Sequence, residues 1–322
     1  MRMLEQFGPG TATPAPSEAD ALAYVAGLAT SHYENFSVLS SLVPADLRAD
    51  FAAVYAFCRW SDDLGDETGS DEAARSRSLA LLGWWREQTL ACFQGTASHP
   101  VLIALATTVR KHTLPAEPFL DLISAFEQDQ TVREYANWPE LLDYCRRSAN
   151  PVGRIVLHLG GYPNTDANAE RYRLSDATCT ALQLINFWQD VRRDLLERDR
   201  VYIPRHETGI TPAILKDWLA RPNDPAARTP YILAMRPLVD RTLLLFDLGA
   251  PLPAMLEARI GPVVWLFGAG GRAVLQAVQS TGCATLWSRP RLSKLKKVSL
   301  VAQAWLKARL GRRSASPKGV AA

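Results

Sequence analysis

Two pairs of carboxylates, each pair one helical turn apart, are the residues of this chain whose types and spacing suit chemistry. Between Gln183 and Asp194, the residues Gln183, Asn186, Asp190 and Asp194 stand at intervals of three, four and four, so all four project from one stripe of a helix. Leu182, Leu184, Ile185, Phe187 and Trp188 make that helix apolar almost all round, which is the pattern of an internal helix. Two ionised carboxylates buried there unpaired cost several kcal/mol or take up a proton. A hard cation removes the cost, and the stripe is then expected to face a cavity.

The second pair repeats the logic. Asp62 and Asp66 are one turn apart at the end of an apolar run, with Arg59 and Tyr55 one and two turns before them on nearly the same face. If the two acidic helices face each other, the four aspartates can hold two or three Mg²⁺ ions, which take oxygen ligands and keep phosphate oxygens in their shell. Asn186 adds a neutral oxygen, and Arg59 takes further phosphate charge. The chemistry suited to this set is departure of diphosphate from an allylic or cyclopropylcarbinyl carbon inside apolar walls. The candidate metal ligands are Asp62, Asp66, Asn186, Asp190 and Asp194; the candidate substrate contacts are Tyr55, Arg59, Arg147, Arg154, Gln183 and Tyr202.

The elements that position these residues read as helices. Expected helices run over Glu18–Thr30 with Ser17 as N-cap, Asp46–Asp66, Asp71–Gln94, Pro100–His112, Glu117–Asp129, Trp138–Leu159, Thr211–Ala220, Pro225–Leu248 and Met255–Val278. Pro151 kinks the Trp138–Leu159 run, and Ser148, Ala149 and Gly153 leave room there for a ligand or a close helix neighbour. Arg198 to Pro204 reads as a polar loop. No run of alternating β-branched residues occurs, so the fold class is all-α.

With 322 residues, 48% of them hydrophobic and 21% charged, the chain can bury a large core around a deep central cavity. Five scattered cysteines without CxxC spacing argue against a disulfide framework or a zinc site and for a reducing, cytoplasmic compartment. The five histidines form no metal-binding cluster. Ile260 to Gly271 is too short an apolar stretch to span a bilayer. The expected division is a flexible leader over 1–16, one helical domain over 17–288, a basic amphipathic helix over 289–313 with Leu295, Val298, Val301, Ala302 and Trp305 on one side, and a disordered tail over 314–322.

Charge is unevenly spread. Of 36 basic and 33 acidic residues, twelve basic and no acidic ones follow Glu257; the remaining 24 basic against 33 acidic leave the rest of the chain at −9. The basic end suits an anionic membrane surface, giving peripheral association. It carries no RNA-binding signature or zinc finger, so nucleic acid is not expected as a partner.

The motifs Tyr55-Ala56-Phe57-Cys58-Arg59 leading into Asp62 and Asp66, Tyr144-Cys145 with Val152-Gly153, and Gln183, Asn186, Asp190 and Asp194 together resemble the trans head-to-head isoprenoid synthases, the squalene and phytoene synthases. The resemblance covers about Ser31 to Gln279. It implies the all-α isoprenoid synthase fold, Mg²⁺ on both aspartate pairs, and a farnesyl-derived diphosphate near Arg59 and Tyr55. Where many members carry His-Ser-Lys-Ser-Phe, this chain has His32-Tyr33-Glu34-Asn35-Phe36. After Tyr144-Cys145 it has Arg146-Arg147 and Asn150-Pro151. With Phe187-Trp188-Gln189, these departures look like the bacterial hydroxysqualene synthase branch of hopanoid biosynthesis.

That branch implies ionisation of presqualene diphosphate, ring opening and capture of the cation by water, with no NADPH. Its functional partners would be a presqualene diphosphate synthase and a squalene-forming oxidoreductase. The alternative is presqualene diphosphate synthase itself, joining two farnesyl diphosphates with the same aspartates. A non-catalytic helical assembly factor would be expected to have lost a metal-site acid, and all four are present.

Overall fold

A computed structural model of the chain describes residues 2–11, 13–31, 42–66, 69 and 71–314. The segment His32 to Phe36 lies outside the described residues, as does the tail beyond Ser314. The elements are α1 (Arg2–Phe7), α2 (Glu18–Ser31), α3 (Arg48–Asp66, preceded by a 3-10 turn over Ala45–Leu47), α4 (Glu72–Phe93), α5 (Pro100–His112), α6 (Glu117–Asp129), α7 (Trp138–Ser148), α8 (Asn150–Leu159), α9 (Ala169–Glu197), α10 (Arg205–Thr208), α11 (Pro212–Leu219), α12 (Pro225–Gly249), α13 (Gly261–Ser280) and α14 (Lys294–Ser314). Among the described residues the sole β pairing is an isolated bridge between Glu134 and Val201. The all-α expectation holds.

The helix ends follow local chemistry. Ser17 Oγ accepts the Asp20 amide, Asp71 caps α4 through Ala74, and Asn137 and Thr211 cap α7 and α11 in the same way; each satisfies an otherwise unpaired amide. Several bounds differ from expectation. The Trp138–Leu159 run is two helices broken at Ala149, with Pro151 in the first turn of α8, where its missing N–H is no loss. The helix expected from Met255 begins at Gly261, because Leu252–Met255 forms a separate 3-10 turn and Pro262 opens α13. The leader, expected to be flexible, carries α1, whose Phe7 ring stands edge-on to Tyr24 at 5.3 Å and to His99 at 5.7 Å.

Two apolar clusters form the interior. One joins α2 to α6 around Phe57, Trp60, Trp85 and Phe119. The other surrounds the long helix α9, which packs against α7, α8, α12 and α13, and it holds Leu184, Trp188, Tyr144 and Tyr231. Burying each such leucine contributes about 1.5–3 kcal/mol, so the carboxylates of α9 are seated in a helix that the apolar cluster holds in place. Gly153 resolves an open alternative: a Cβ there would collide with Ser175 Oγ and Cys179 Sγ of α9, so the small residue serves close helix packing. All five cysteines are free.

The last helix sits on the body by one side. Leu300, Ala304 and Ala308 are buried where α14 meets α13. The face expected to be apolar points outward, with Leu295 83%, Val298 66% and Trp305 40% exposed.

Candidate active site

Helix α9 places the four polar residues of its stripe at different depths. Asp190 and Asp194 are buried, 6% and 4% exposed, Gln183 is half-buried, and Asn186 is exposed. The stripe is therefore graded, with the two acids in and the amide at its edge. Burial pushes the Asp194 carboxyl up to about 6, against the pull of the Arg193 and Arg198 guanidinium groups and with a smaller push from Asp190. Asp190 is held by two guanidinium groups: Arg193 Nη2 at 2.9 Å and Arg289, which donates through Nε and, at 3.2 Å, through Nη2. Gln189 Nε2 donates to the Pro290 carbonyl at 2.5 Å, so the segment between α13 and α14 is fastened to α9 at two adjacent points. Asp190, Gln189, Arg193, Leu196, Trp287 and Arg289 line a cavity of about 290 Å³.

On α3, Arg59 pairs with Asp63 one turn on and stands 3.6 Å from Asp62, whose side chain is 43% exposed. Tyr55 is half-buried. The backbone of α3 runs to Asp66, whose side chain lies outside the described residues. Ser61 Oγ accepts the Trp85 indole N–H at 3.0 Å, which fixes this last turn against α4.

The ends of α3 and α9 meet at the end of α6. Gln130 Nε2 donates to the Gly65 carbonyl at 3.0 Å. Beside it, Asp129 accepts from Tyr144 Oη at 2.9 Å, Arg200 Nη1 at 3.3 Å and Tyr202 Oη at 3.5 Å. The Arg200 amide in turn donates to the Asp194 carbonyl at 3.0 Å. Across the same junction Asp199 pairs with Arg75 of α4 at 3.6 Å and with Arg133 at 2.8 Å. Both acidic helix ends are thus tied to Asp129 and Gln130.

The other expected contacts are each held by neighbouring side chains of the protein. Arg154 is bound bidentately by Asp176 at 3.1 and 2.8 Å, and Arg147 bonds Gln128 at 2.6 Å and Asp143 at 3.0 Å. Tyr202 is 7% exposed and stacks on Phe187 with ring centres 3.7 Å apart. The stretch Arg198 to Pro204, expected to be a polar loop, buries Arg200 through Pro204, because Arg200 reaches inward to Asp129 and Val201 to Ile203 join the α9 cluster. Asp63, Asp129, Arg193, Arg200 and Arg289 bond to residues of the candidate site or its supports, and sequence reasoning did not single them out. Arg59 four residues before Asp63 was the available signal for that pair.

The donor chemistry suits a hard cation: oxygen ligands only, and in Asp194 a buried carboxylate whose charge the surrounding guanidinium groups leave undercompensated. Among the described residues, which exclude the Asp66 side chain, no group of three or more His, Cys, Asp and Glu residues is close enough to share a metal ion.

The squalene/phytoene synthase family model matches residues 29–296. A hydroxysqualene synthase of Sinorhizobium fredii is 34% identical over 184 residues, 57% of this chain and 59% of that protein, so this match spans little more than half of the relative's length. A hydroxysqualene synthase of Rhodopseudomonas palustris is 31% identical over 252 residues, 78% of this chain and 81% of its own. The crystal structure of the squalene synthase HpnC from Alicyclobacillus acidocaldarius superimposes with a TM-score of 0.69 at 41% identity, covering 82% of this chain and 95% of that one. The chain belongs to the squalene/phytoene synthase family.

Proposed function

We propose that the protein converts presqualene diphosphate and water into hydroxysqualene and diphosphate. The observation that carries this reading is the Asp190–Asp194 pair: two carboxylates one turn apart, both buried in an apolar helix, at the junction where the end of α3 is also tied. Similarity to hydroxysqualene synthases, and to a squalene synthase over most of both chains, supports the choice within the family.

Asp62, Asp66, Asn186, Asp190 and Asp194 would hold Mg²⁺, which when bound supplies the positive charge that makes diphosphate a leaving group. Arg59, Arg193 and Arg289 bring planar guanidinium donors to the same carboxylates, and such donors suit phosphoryl oxygens. The carbon–oxygen bond to diphosphate breaks with its electron pair leaving on the diphosphate. The cyclopropane ring then opens, water oxygen bonds to carbon, and one proton is released. A reaction that ends on water needs no hydride donor, hence no NADPH.

The test is product analysis. Purified protein with Mg²⁺ is expected to convert presqualene diphosphate to hydroxysqualene and to leave farnesyl diphosphate alone. Formation of presqualene diphosphate from farnesyl diphosphate would instead assign the coupling step, and no turnover of either would sink both readings.

A further inference from the structure

We propose that the outward face of α14 is a docking surface for an anionic lipid bilayer. At 100° per residue, Leu295, Val298, Trp305, Leu306 and Leu310 fall within an arc of roughly 140°, and their exposures are 83, 66, 40, 58 and 64%. The opposite side of the same helix, Leu300, Ala304 and Ala308, is the side buried on the body. The helix is therefore mounted by Leu300 and two alanines and presents its remaining large apolar residues to the outside. A row of exposed leucine and tryptophan of this kind marks an interaction surface.

Charge selects the occupant. From Lys294 to Ser314 the sequence has seven basic residues and no acidic one. Lys294, Lys296, Lys297 and Arg309 are exposed, and Lys307 is exposed with its ammonium 4.9 Å from the centre of the Trp265 ring of α13. A second copy of the chain would bring a like-charged helix against this one, which is unfavourable, whereas an anionic bilayer offers hydrocarbon for the leucines and negative headgroups for the lysines. No described helix is long and apolar enough to cross a membrane, so the helix lies on the surface. Because Arg289 and Pro290 fasten the preceding segment to α9, docking holds the Asp190 cavity beside the bilayer. None of this depends on which reaction the protein catalyses.

The experiment is vesicle flotation of the full chain with phosphatidylcholine vesicles, with and without phosphatidylglycerol, at low and high salt. The wild-type chain is expected to partition onto the vesicles containing phosphatidylglycerol and to be partly released by salt. Leu295→Gln with Leu306→Gln is expected to weaken partitioning by roughly tenfold or more, and Lys294→Gln with Arg309→Gln, the basic residues beside the outward arc, to remove most of the preference for phosphatidylglycerol. Leu233→Gln, at an exposed leucine of α12, is the control and is expected to change nothing. Circular dichroism and the thermal midpoint establish that each variant keeps its fold. Equal partitioning onto both vesicle types, or unchanged binding of the leucine variant, overturns the proposal. So does light scattering that shows a dimer dissolved by the leucine variant, which would assign the face to a second copy.

Discussion

Arg289 reaches back across 99 positions of the chain to clasp the Asp190 carboxylate, donating through Nε and through Nη2 at 3.2 Å. With Arg193, Arg289 thus flanks the buried Asp190 carboxylate by two guanidinium groups. If Asp190 is also a ligand for a divalent cation, Arg289 competes for the same oxygens.

Arg289→Gln is therefore expected to tighten binding of Mn²⁺, used as a paramagnetic stand-in for Mg²⁺, by roughly threefold to tenfold in the absence of substrate, as expected when one partly screened positive charge is removed nearby. Electron paramagnetic resonance of free Mn²⁺ measures it. Asp190→Asn should abolish the same binding. If Asp190→Asn leaves Mn²⁺ binding intact, the ligand assignment fails; if only Arg289→Gln has no effect, the competition fails.

The aspartates should be needed for turnover and not for folding. Asp190→Asn and Asp62→Asn are each expected to lower turnover by roughly a thousandfold or more, since the charge stabilisation at stake is several kcal/mol. The circular dichroism spectrum should be unchanged. Full activity in excess chelator would remove the metal from the reaction.

Much of this was legible in the sequence, for identifiable reasons. Pro100–His112 and Glu117–Asp129 have the expected bounds because each carries a proline in its first turn, where the missing N–H is no loss, and Thr113 ends the first of them in the left-handed conformation. The depth of Asp190 and Asp194 follows from Leu184, Ile185, Phe187 and Trp188 around them. The exposure of Asn186 does not, although it lies roughly 60° from Gln183 and 80° from Asp194 around the helix and so falls at the rim of the stripe. Arg289 was read only as part of a basic end, because nothing local couples it to a carboxylate 99 positions earlier. Asp129 stands in the last turn of α6 with Glu127 two positions before it, and its three side-chain donors come from α7 and from the turn after α9, which only the tertiary fold brings together.

Acid should weaken the fold through His99. Its ring is 4% exposed, packed edge-on to Trp60 at 4.3 Å and Trp85 at 4.9 Å, with Nδ1 accepting the Val101 amide at 3.2 Å. Burial lowers its pKa from 6.5 to about 3, so the native state keeps His99 neutral while the unfolded chain takes up a proton below pH ~6.5. Its stabilising contribution is complete above that pH and is lost as pH falls toward 3, at up to about 1.4 kcal/mol per pH unit. His99→Asn keeps a capping oxygen but does not titrate. Urea unfolding between pH 7.5 and pH 5, conditions on the order of the cited titration range, should give a shallower slope for the variant; equal slopes would refute the assignment.

The Asp129 junction should couple stability to the site. Tyr144→Phe removes a buried hydrogen bond of 2.9 Å to a charged acceptor and is expected to cost about 1–3 kcal/mol. Asp129→Leu leaves Arg200, 7% exposed, without the carboxylate it contacts at 3.3 Å, and is expected to cost about 3–5 kcal/mol. Asp129→Asn should fall between them, since the amide still accepts from Tyr144 but no longer neutralises Arg200. In a double-mutant cycle, Tyr144→Phe with Asp129→Asn should show a coupling on the order of 0.5–3 kcal/mol in urea unfolding. Arg200 also donates its amide to the Asp194 carbonyl, and Gln130 next to Asp129 holds the Gly65 carbonyl, so loosening this junction displaces both acidic helix ends at once. Asp129→Asn is therefore expected to weaken Mn²⁺ binding even where the protein remains folded, whereas a substitution of similar cost at Gly153, remote from the junction in its contacts, should lower stability and leave the affinity of the folded fraction unchanged.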